Sequence, residues 1–280
     1  MARRSVLFTP GDRPEMLGRA TETGADVAVF DLEDGVAPDR KPAAREHVRD
    51  AVAALETDTA AASETDAEVC VRVNPVGRGA REDLDAVLQG ACPDGLVLPK
   101  VGAPGDVRAL ADLAADRGAD LPIFALVESA AGVLRAGEIG AADPTDCLLF
   151  GAQDLAGDLG GSGIGAADLP YPRQRVLVAA RAAGVDAVDT HYPDVDDLAG
   201  LRAEAADALS LGYDGKMALH PDQVTVLNEA FTPEAARIEW ARRVLEATDG
   251  AAVAVVDGEM VDAPQRRQAE RILERAGVDP

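Results

Sequence analysis

The stretch 122-PIFALVESAAGVLRAGEIGAADPTDCLLFGAQDLAGDLG-160 decides the fold. It holds two short apolar runs, 123–127 and 147–150, each bounded by turn residues. Runs of that length without polar alternation read as strands buried on both faces, as in a parallel sheet. Glu128 follows the first run and Asp154 lies just past the second. Their separation of 26 residues is about one strand–helix–strand unit. Parallel α/β folds bind ligands beyond the carboxyl ends of their strands, so the two acids are expected to point into one mouth. Two hard oxygen ligands with open positions suit Mg2+, which keeps waters and is completed by substrate oxygens. The plainer alternative is that Glu128 caps the helix behind it and Asp154 caps a loop.

Moving toward the N-terminus, strand 95–101 (GLVLPKV) carries Lys100 at its end, and helix 105–118 follows. Lys100 is chemically able to form a Schiff base, but pairing with nearby acids is the favoured reading. Strand 68–73 (EVCVRV) places Arg72 one residue from its end, and helix 81–89 comes after. A buried arginine on an acidic chain needs an anion, and its planar fork suits bidentate carboxylate recognition. That anion is either a substrate carboxylate or Asp31 or Glu33. Strand 25–32 (ADVAVFDL) runs into a very acidic end, Asp31, Glu33 and Asp34, for which Lys41 and Arg45 are the expected counter-charges. Strand 5–9 ends in Pro10-Gly11-Asp12-Arg13-Pro14. This turn is expected to bring backbone amides to a ligand and Arg13 to an anion. Helix 15–24 follows it, and 57–66 reads as a polar surface loop or frayed helix end.

Toward the C-terminus, the glycine-rich run after Asp154 reads as a loop able to cover substrate. It has neither a phosphate-loop pattern nor a dinucleotide fingerprint. Helix 172–184 leads to strand 185–192, with Asp189 and His191 near its end, and helix 194–211 leads to strand 215–219 and His220. Either histidine is a plausible base, or a rim hydrogen-bonder. Eight strand–helix units in about 230 residues is the (β/α)8 count. The expected fold is therefore an α/β TIM barrel over 1–228. A helical extension over 229–280 holds helix 232–248, the strand-like AAVAVVDGEMV and helix 265–276. It packs on its own barrel or reaches a neighbouring subunit.

Composition narrows the function. A net charge of −23, from 50 acidic and 27 basic residues, opposes nucleic-acid binding. Lysine occurs only at 41, 100 and 216, a balance that suits high salt, where screening removes self-repulsion. No 18-residue apolar run offers a membrane span, and the N-terminal apolar core is too short for a signal peptide, so a cytoplasmic enzyme is expected. Cys70, Cys92 and Cys147 lack pairing or zinc spacing and read as core or near-core thiols.

Six segments together carry a resemblance: RSVLFTPGDRPEML, VFDLEDGVAPDRKPAAR, VRVNP, LPKV, LVESAAGV and FGAQDLAGDLG. In this order they resemble the citrate lyase β-subunit-like proteins, the acyl-CoA lyase branch of the HpcH/HpaI aldolase superfamily. The resemblance implies a homotrimeric or larger TIM-barrel enzyme that cleaves or forms a C–C bond beside a CoA thioester. Mg2+, with Mn2+ as a substitute, would sit on Glu128 and Asp154. Arg72 would bind the 2-oxo acid carboxylate, and Pro10, Gly11 and Arg13 would lie near the CoA end of the substrate. Asp31, Glu33, Asp34 and Lys41 would support the site. The tail VVDGEMVDAPQRRQAERIL resembles the segment that covers a neighbouring subunit's site in malyl-CoA, β-methylmalyl-CoA and citramalyl-CoA lyases, and its catalytic aspartate matches Asp262. A malyl-CoA thioesterase on the same scaffold, and a citrate lyase β-type subunit needing a carrier partner, are the rival expectations.

Overall fold

The computed structural model describes residues 2–57, 67–161 and 165–278. Eight parallel strands close into a barrel in sequence order. They are β1 (Ser5–Pro10), β2 (Val27–Asp31), β3 (Glu68–Arg72), β4 (Gly95–Leu98), β5 (Ile123–Val127), β6 (Thr145–Phe150), β7 (Asp186–Asp189) and β8 (Gly215–Ala218). The helices α1 (Pro14–Ala20), α2 (Lys41–Thr57), α3 (Ala80–Val87), α4 (Pro104–Ala115), α5 (Ala130–Gly140), α6 (Ala152–Asp158), α7 (Pro170–Ala183), α8 (Leu198–Leu211) and α9 (Pro221–Phe231) surround it. The expected (β/α)8 barrel is the observed one. Most of the segment expected as a polar loop or frayed end, 58–66, lies outside the described residues.

Strand alternation divides the core in two. Inside the barrel sit Val6, Val29, Cys70, Val97, Phe124, Leu149 and Met217 among others. Their strand neighbours, such as Leu7, Phe30, Val71 and Leu148, face the helices. Extending the inward rows by two residues reaches Pro10, Asp31, Arg72, Glu128, Gly151 and Leu219. The same period that buries the apolar layers therefore raises a polar layer at the carboxyl ends. At the opposite end, Arg3 lies over the Phe124 ring at 4.4 Å and pairs with Glu68, Asp146 and Asp186, filling the barrel floor. Cys70 and Cys147 are buried and Cys92 is exposed.

Several boundaries differ from expectation for local reasons. Strand 95–101 ends at Leu98 because Pro99 has no amide to donate. Strand 185–192 ends at Asp189, whose ladder with Lys216 is the last to β8. Helix 194–211 starts only at Leu198. Asp194 first accepts from the amides of Asp196 and Asp197, and Asp197 then caps the helix through the Gly200 amide at 2.9 Å. The run expected to be a loop after Asp154 begins as α6, and residues 162–164 lie outside the described residues.

The extension consists of α10 (Ala235–Ala247), the hairpin β9 (Ala254–Val256) and β10 (Glu259–Val261), and α11 (Ala263–Arg275). Ala241, Val244, Val256, Val261, Ala269, Ile272 and Leu273 give it an apolar core separate from the barrel's. Arg275 ties α11 to the Tyr213 carbonyl at 3.0 Å and to Asp214 at 3.3 Å. Both residues stand just before β8, so the extension rests on the barrel floor, away from the polar mouth.

Candidate active site

The inward-facing ends of the strands enclose a cavity of about 350 Å3. Its polar lining includes Asp31, Asp34, Arg72, Glu128, Gln153, Asp154 and His191. Glu128 ends the inward row of β5 after Phe124 and Leu126, and Asp154 stands in the first turn of α6. The two acids predicted from the sequence thus meet in one mouth. Glu128 is buried, 6% exposed, and accepts the Lys100 amide at 2.8 Å. Burial first, and the charge of Asp154 second, push its carboxyl up to about 8. Gly151 makes room for it: a Cβ there would lie 2.5 Å from the Glu128 Cβ and 2.8 Å from its Oε2.

Arg72 and Asp31 are register partners on adjacent strands, both inward, and they form a bidentate pair with two contacts of 2.6 Å. The Arg72 guanidinium also approaches Glu33 at 3.5 Å and lies 5.0 Å above the Phe8 ring centroid. Asp31 accepts further hydrogen bonds from the amides of Glu33 and Gly35 at 2.8 and 2.9 Å. Every strong acceptor site on Asp31 is used, so Arg72 is locked in direction before any ligand arrives.

Lys100 completes the charge balance. Its backbone lies in the left-handed region, φ 55°, an unusual conformation for a residue with a Cβ. That conformation lets one residue give its amide to Glu128 while its ammonium contacts both Glu33 and Asp34. The Nζ also lies 3.9 Å from Asp154. Burial raises the carboxyl of Glu33. For Asp34, burial is outweighed by the hydrogen bonds from Lys100 and Glu33, and its carboxyl stays below the usual range. The ammonium of Lys100 is held protonated, because burial is outweighed by its two acid partners. Its ion-pairing reading, not the Schiff-base one, matches this geometry.

Other expectations need correction. Lys41 does not neutralise the acidic strand end; its ammonium contacts the Asn74 side-chain oxygen instead. Arg45 pairs with Asp83 at 2.7 Å. Both stand on α2, which faces α3, while the inward acids are reached only from β3 and the β4–α4 loop. The Gly11 amide is not offered to a ligand either. It donates to the Asp31 carbonyl at 2.8 Å, and a Cβ at Gly11 would lie 2.7 Å from that oxygen. Pro10 lines the mouth, but Arg13 does not; its side chain is 55% exposed, with Asp12 at 3.6 Å. Asp262 is also absent from the mouth's lining. It stands at the N-terminus of α11, where its amide donates to Gln265 and its buried Oδ1 has no partner among the described residues.

His191 lines the mouth, and burial first, then Lys216 and Arg72, lower its pKa to about 4, so it is a neutral imidazole. His220 instead caps α9 through the Asp222 amide. Asp189 faces away from the mouth, fully buried between Arg173 and Lys216. Residues missed by sequence reasoning are Phe8, Gly35, Gly151 and Gln153. Inward alternation on β1 and β6 carried the signal for Phe8 and Gly151; nothing local marked Gln153.

Glu128 and Asp154 converge on this mouth, and burial first, then the charge of Asp154, disfavour an ionised Glu128. Among the described residues no three His, Cys, Asp or Glu side chains gather into a closed metal site. Carboxylate oxygens are the donors a hard divalent cation takes, with water or substrate oxygens completing its shell.

Comparison with known proteins agrees with this architecture. A family model described as HpcH/HpaI aldolase/citrate lyase matches residues 4–221, and one described as a C–C bond lyase of the TIM-barrel fold matches 177–279. The chain is 39% identical over 279 residues to the citrate lyase subunit beta-like protein of Mycobacterium tuberculosis, covering 97% of this chain and 94% of that one. It is 35% identical over 288 residues to a (3S)-malyl-CoA thioesterase of Cereibacter sphaeroides, covering 98% and 94%. The crystal structure of the protein CitE from Mycobacterium tuberculosis, in complex with magnesium, acetoacetate and coenzyme A, superposes with a TM-score of 0.80 at 38% identity, covering 99% and 98%. The fold and matches define a carbon–carbon lyase class of TIM-barrel protein. Within it, this chain belongs to the HpcH/HpaI aldolase/citrate lyase family.

Proposed function

We propose that this chain is a Mg2+-dependent acyl-CoA lyase. It cleaves or forms a 3-hydroxy-3-carboxyacyl-CoA such as malyl-CoA, β-methylmalyl-CoA or citramalyl-CoA. The products are acetyl- or propionyl-CoA and glyoxylate or pyruvate. The observation that carries the reading is the shared mouth of Glu128 and Asp154 beside the locked Arg72. The magnesium and coenzyme A in the similar Mycobacterium tuberculosis structure support it.

Glu128 and Asp154 would hold Mg2+, which when bound supplies Lewis-acid polarisation of the substrate's carboxylate and hydroxyl oxygens. Arg72, kept in direction by Asp31, clamps the carboxylate of the oxo-acid end and offsets charge developing on its oxygen. Neutral His191 adds a hydrogen bond without adding charge. Leu126, Met217 and Leu219 keep that end of the mouth apolar. Asp262 arrives from a neighbouring subunit and exchanges the proton at the acyl carbon next to the thioester carbonyl. Its absence from its own mouth, on an extension seated at the barrel floor, favours this trans arrangement in a homotrimer or hexamer. The three thiols, none in a disulfide, suit a reducing cytoplasm. The −23 charge suits high salt.

The second reading is hydrolysis of malyl-CoA, favoured by the similarity to the Cereibacter sphaeroides thioesterase. A carrier-dependent subunit is a third, disfavoured by the presence of the extension. Product analysis separates them. Purified protein is given Mg2+ and malyl-CoA in high-salt buffer, glyoxylate is trapped with phenylhydrazine, and free CoA is assayed in parallel. Glyoxylate with acetyl-CoA is the expected outcome. Free CoA and malate without glyoxylate would replace it with the thioesterase, and no turnover without a carrier protein would favour the subunit.

A further inference from the structure

A second cavity, of about 930 Å3, lies at the opposite end of the barrel, between the ends of α8 and α9 and the extension. Its lining holds five arginines, Arg202, Arg237, Arg267, Arg271 and Arg275, against two glutamates. On a chain with nearly twice as many acids as bases, that concentration is the reverse of the average surface.

The arginines differ in whether they are already neutralised. Arg202 pairs with Glu229 and Arg275 with Asp214. Among the described residues, Arg267 and Arg271 have no carboxylate within ion-pair distance, and Arg237 lies only over the Trp240 ring, at 4.7 Å. Arg267, Arg271 and Arg275 are four residues apart along α11, so they share a helix face with a rise of about 6 Å between neighbours. Like charges at that spacing destabilise a helix. The adjacent face shows the stabilising alternative, Arg266 paired with Glu270 at 3.1 Å. Arg267 and Arg271, two forked donors without a carboxylate partner among the described residues, line this cavity beside Arg237, a set that suits a multiply charged anion.

We propose that this cleft binds an organic polyphosphate, a compound of nucleotide size with two or three clustered phosphates. The volume matches a whole nucleotide-sized ligand. Guanidinium forks spread along a helix suit several phosphate groups better than a single-centre anion. The site lies on the barrel floor, so it is separate from the mouth that holds Glu128 and Asp154 in the same chain.

Trp240 is the only tryptophan, and Arg237 couples it to the cleft, so its fluorescence reports occupancy. The full-length protein is titrated with tripolyphosphate, orthophosphate and citrate in about 0.1 M salt, where charges at the cleft are only partly screened. Tripolyphosphate is expected to change Trp240 emission and to bind at least tenfold more tightly than orthophosphate or citrate. Arg267→Gln/Arg271→Gln should weaken it at least tenfold, and Asp154→Asn should leave it unchanged. In the unsubstituted protein, tripolyphosphate should protect Arg267 and Arg271 from phenylglyoxal, read by peptide mass spectrometry, which needs no variant to fold. Coenzyme A and ATP, compared calorimetrically, then distinguish a substrate-derived ligand from a free nucleotide. Four results would each overturn the proposal: no saturable binding, equal binding of citrate, binding lost in Asp154→Asn, or no protection. So would dissociation of an oligomer by the double variant with no phosphate bound, which would make the cleft a seat for an acidic face of a second copy.

Discussion

Replacing Glu128 by Gln should stabilise the metal-free protein while abolishing turnover. In the fold the Glu128 carboxyl titrates near 8, against 4.5 for an ordinary glutamate. Between those values the folded state holds a proton that the unfolded chain has released, so stability falls as pH rises through the window. The stabilisation is complete below about 4.5 and lost above about 8. At 1.36 kcal/mol per pH unit, the cost of keeping Glu128 in place is on the order of 1 kcal/mol at pH 5.5 and on the order of 4–5 kcal/mol at pH 8.5. The side-chain amide of the Glu128→Gln variant would still accept the Lys100 N–H through its carbonyl oxygen but cannot ionise. Urea unfolding of both proteins with EDTA, at pH 5.5 and 8.5, reads the difference. The variant's advantage should grow by about 3 kcal/mol between the two pH values, and Mg2+ should narrow it by stabilising only the unsubstituted protein. A gap independent of pH, or one that Mg2+ leaves untouched, would refute the argument that burial beside Asp154 sets this carboxyl and that a cation relieves it.

Gly151→Ala should leave the barrel folded and lower kcat by about a hundredfold or more, because a Cβ 2.5 Å from the Glu128 Cβ displaces that carboxylate; circular dichroism and steady-state kinetics check both halves. Arg72→Lys should raise KM and cost about 2 kcal/mol of stability, since an ammonium cannot reproduce the two 2.6 Å contacts to buried Asp31; unchanged kinetics would remove Arg72 from the carboxylate clamp. Asp262→Asn and Glu128→Gln subunits, each inactive alone, should regain about one quarter of full activity when refolded together in equal amounts, because some mouths then receive both intact groups. No recovery would put Asp262 in its own subunit's site, and an Asp262→Asn protein active by itself would put it outside the chemistry.

The sequence by itself determined the barrel and the main pair of acids. Eight short apolar runs separated by helical segments leave few other topologies, and period-2 alternation aims Glu128 inward once Phe124 and Leu126 are placed inside. Strand-end position likewise marked Arg72, Asp31 and Lys100, because a parallel barrel collects its strand ends at one face. What the sequence could not determine was which charge meets which. Lys41 and Arg45 are nearer to the acidic strand end along the chain than Arg72 and Lys100 are. They nevertheless point into the α2–α3 layer, while the strand register sets Arg72 directly beside Asp31. The same holds for Gly11, whose amide is taken by a carbonyl on the next strand, and for Gly151, whose missing side chain matters only because Glu128 lies against it. The place of the extension was likewise decided only in three dimensions. Its own small core and the Arg275 tether set it on the barrel floor, leaving Asp262 off its own mouth and opening the arginine-lined cleft. Periodicity is local and survives in one dimension; charge pairing and side-chain clearance depend on contacts between residues far apart in the chain, and only folding brings those together.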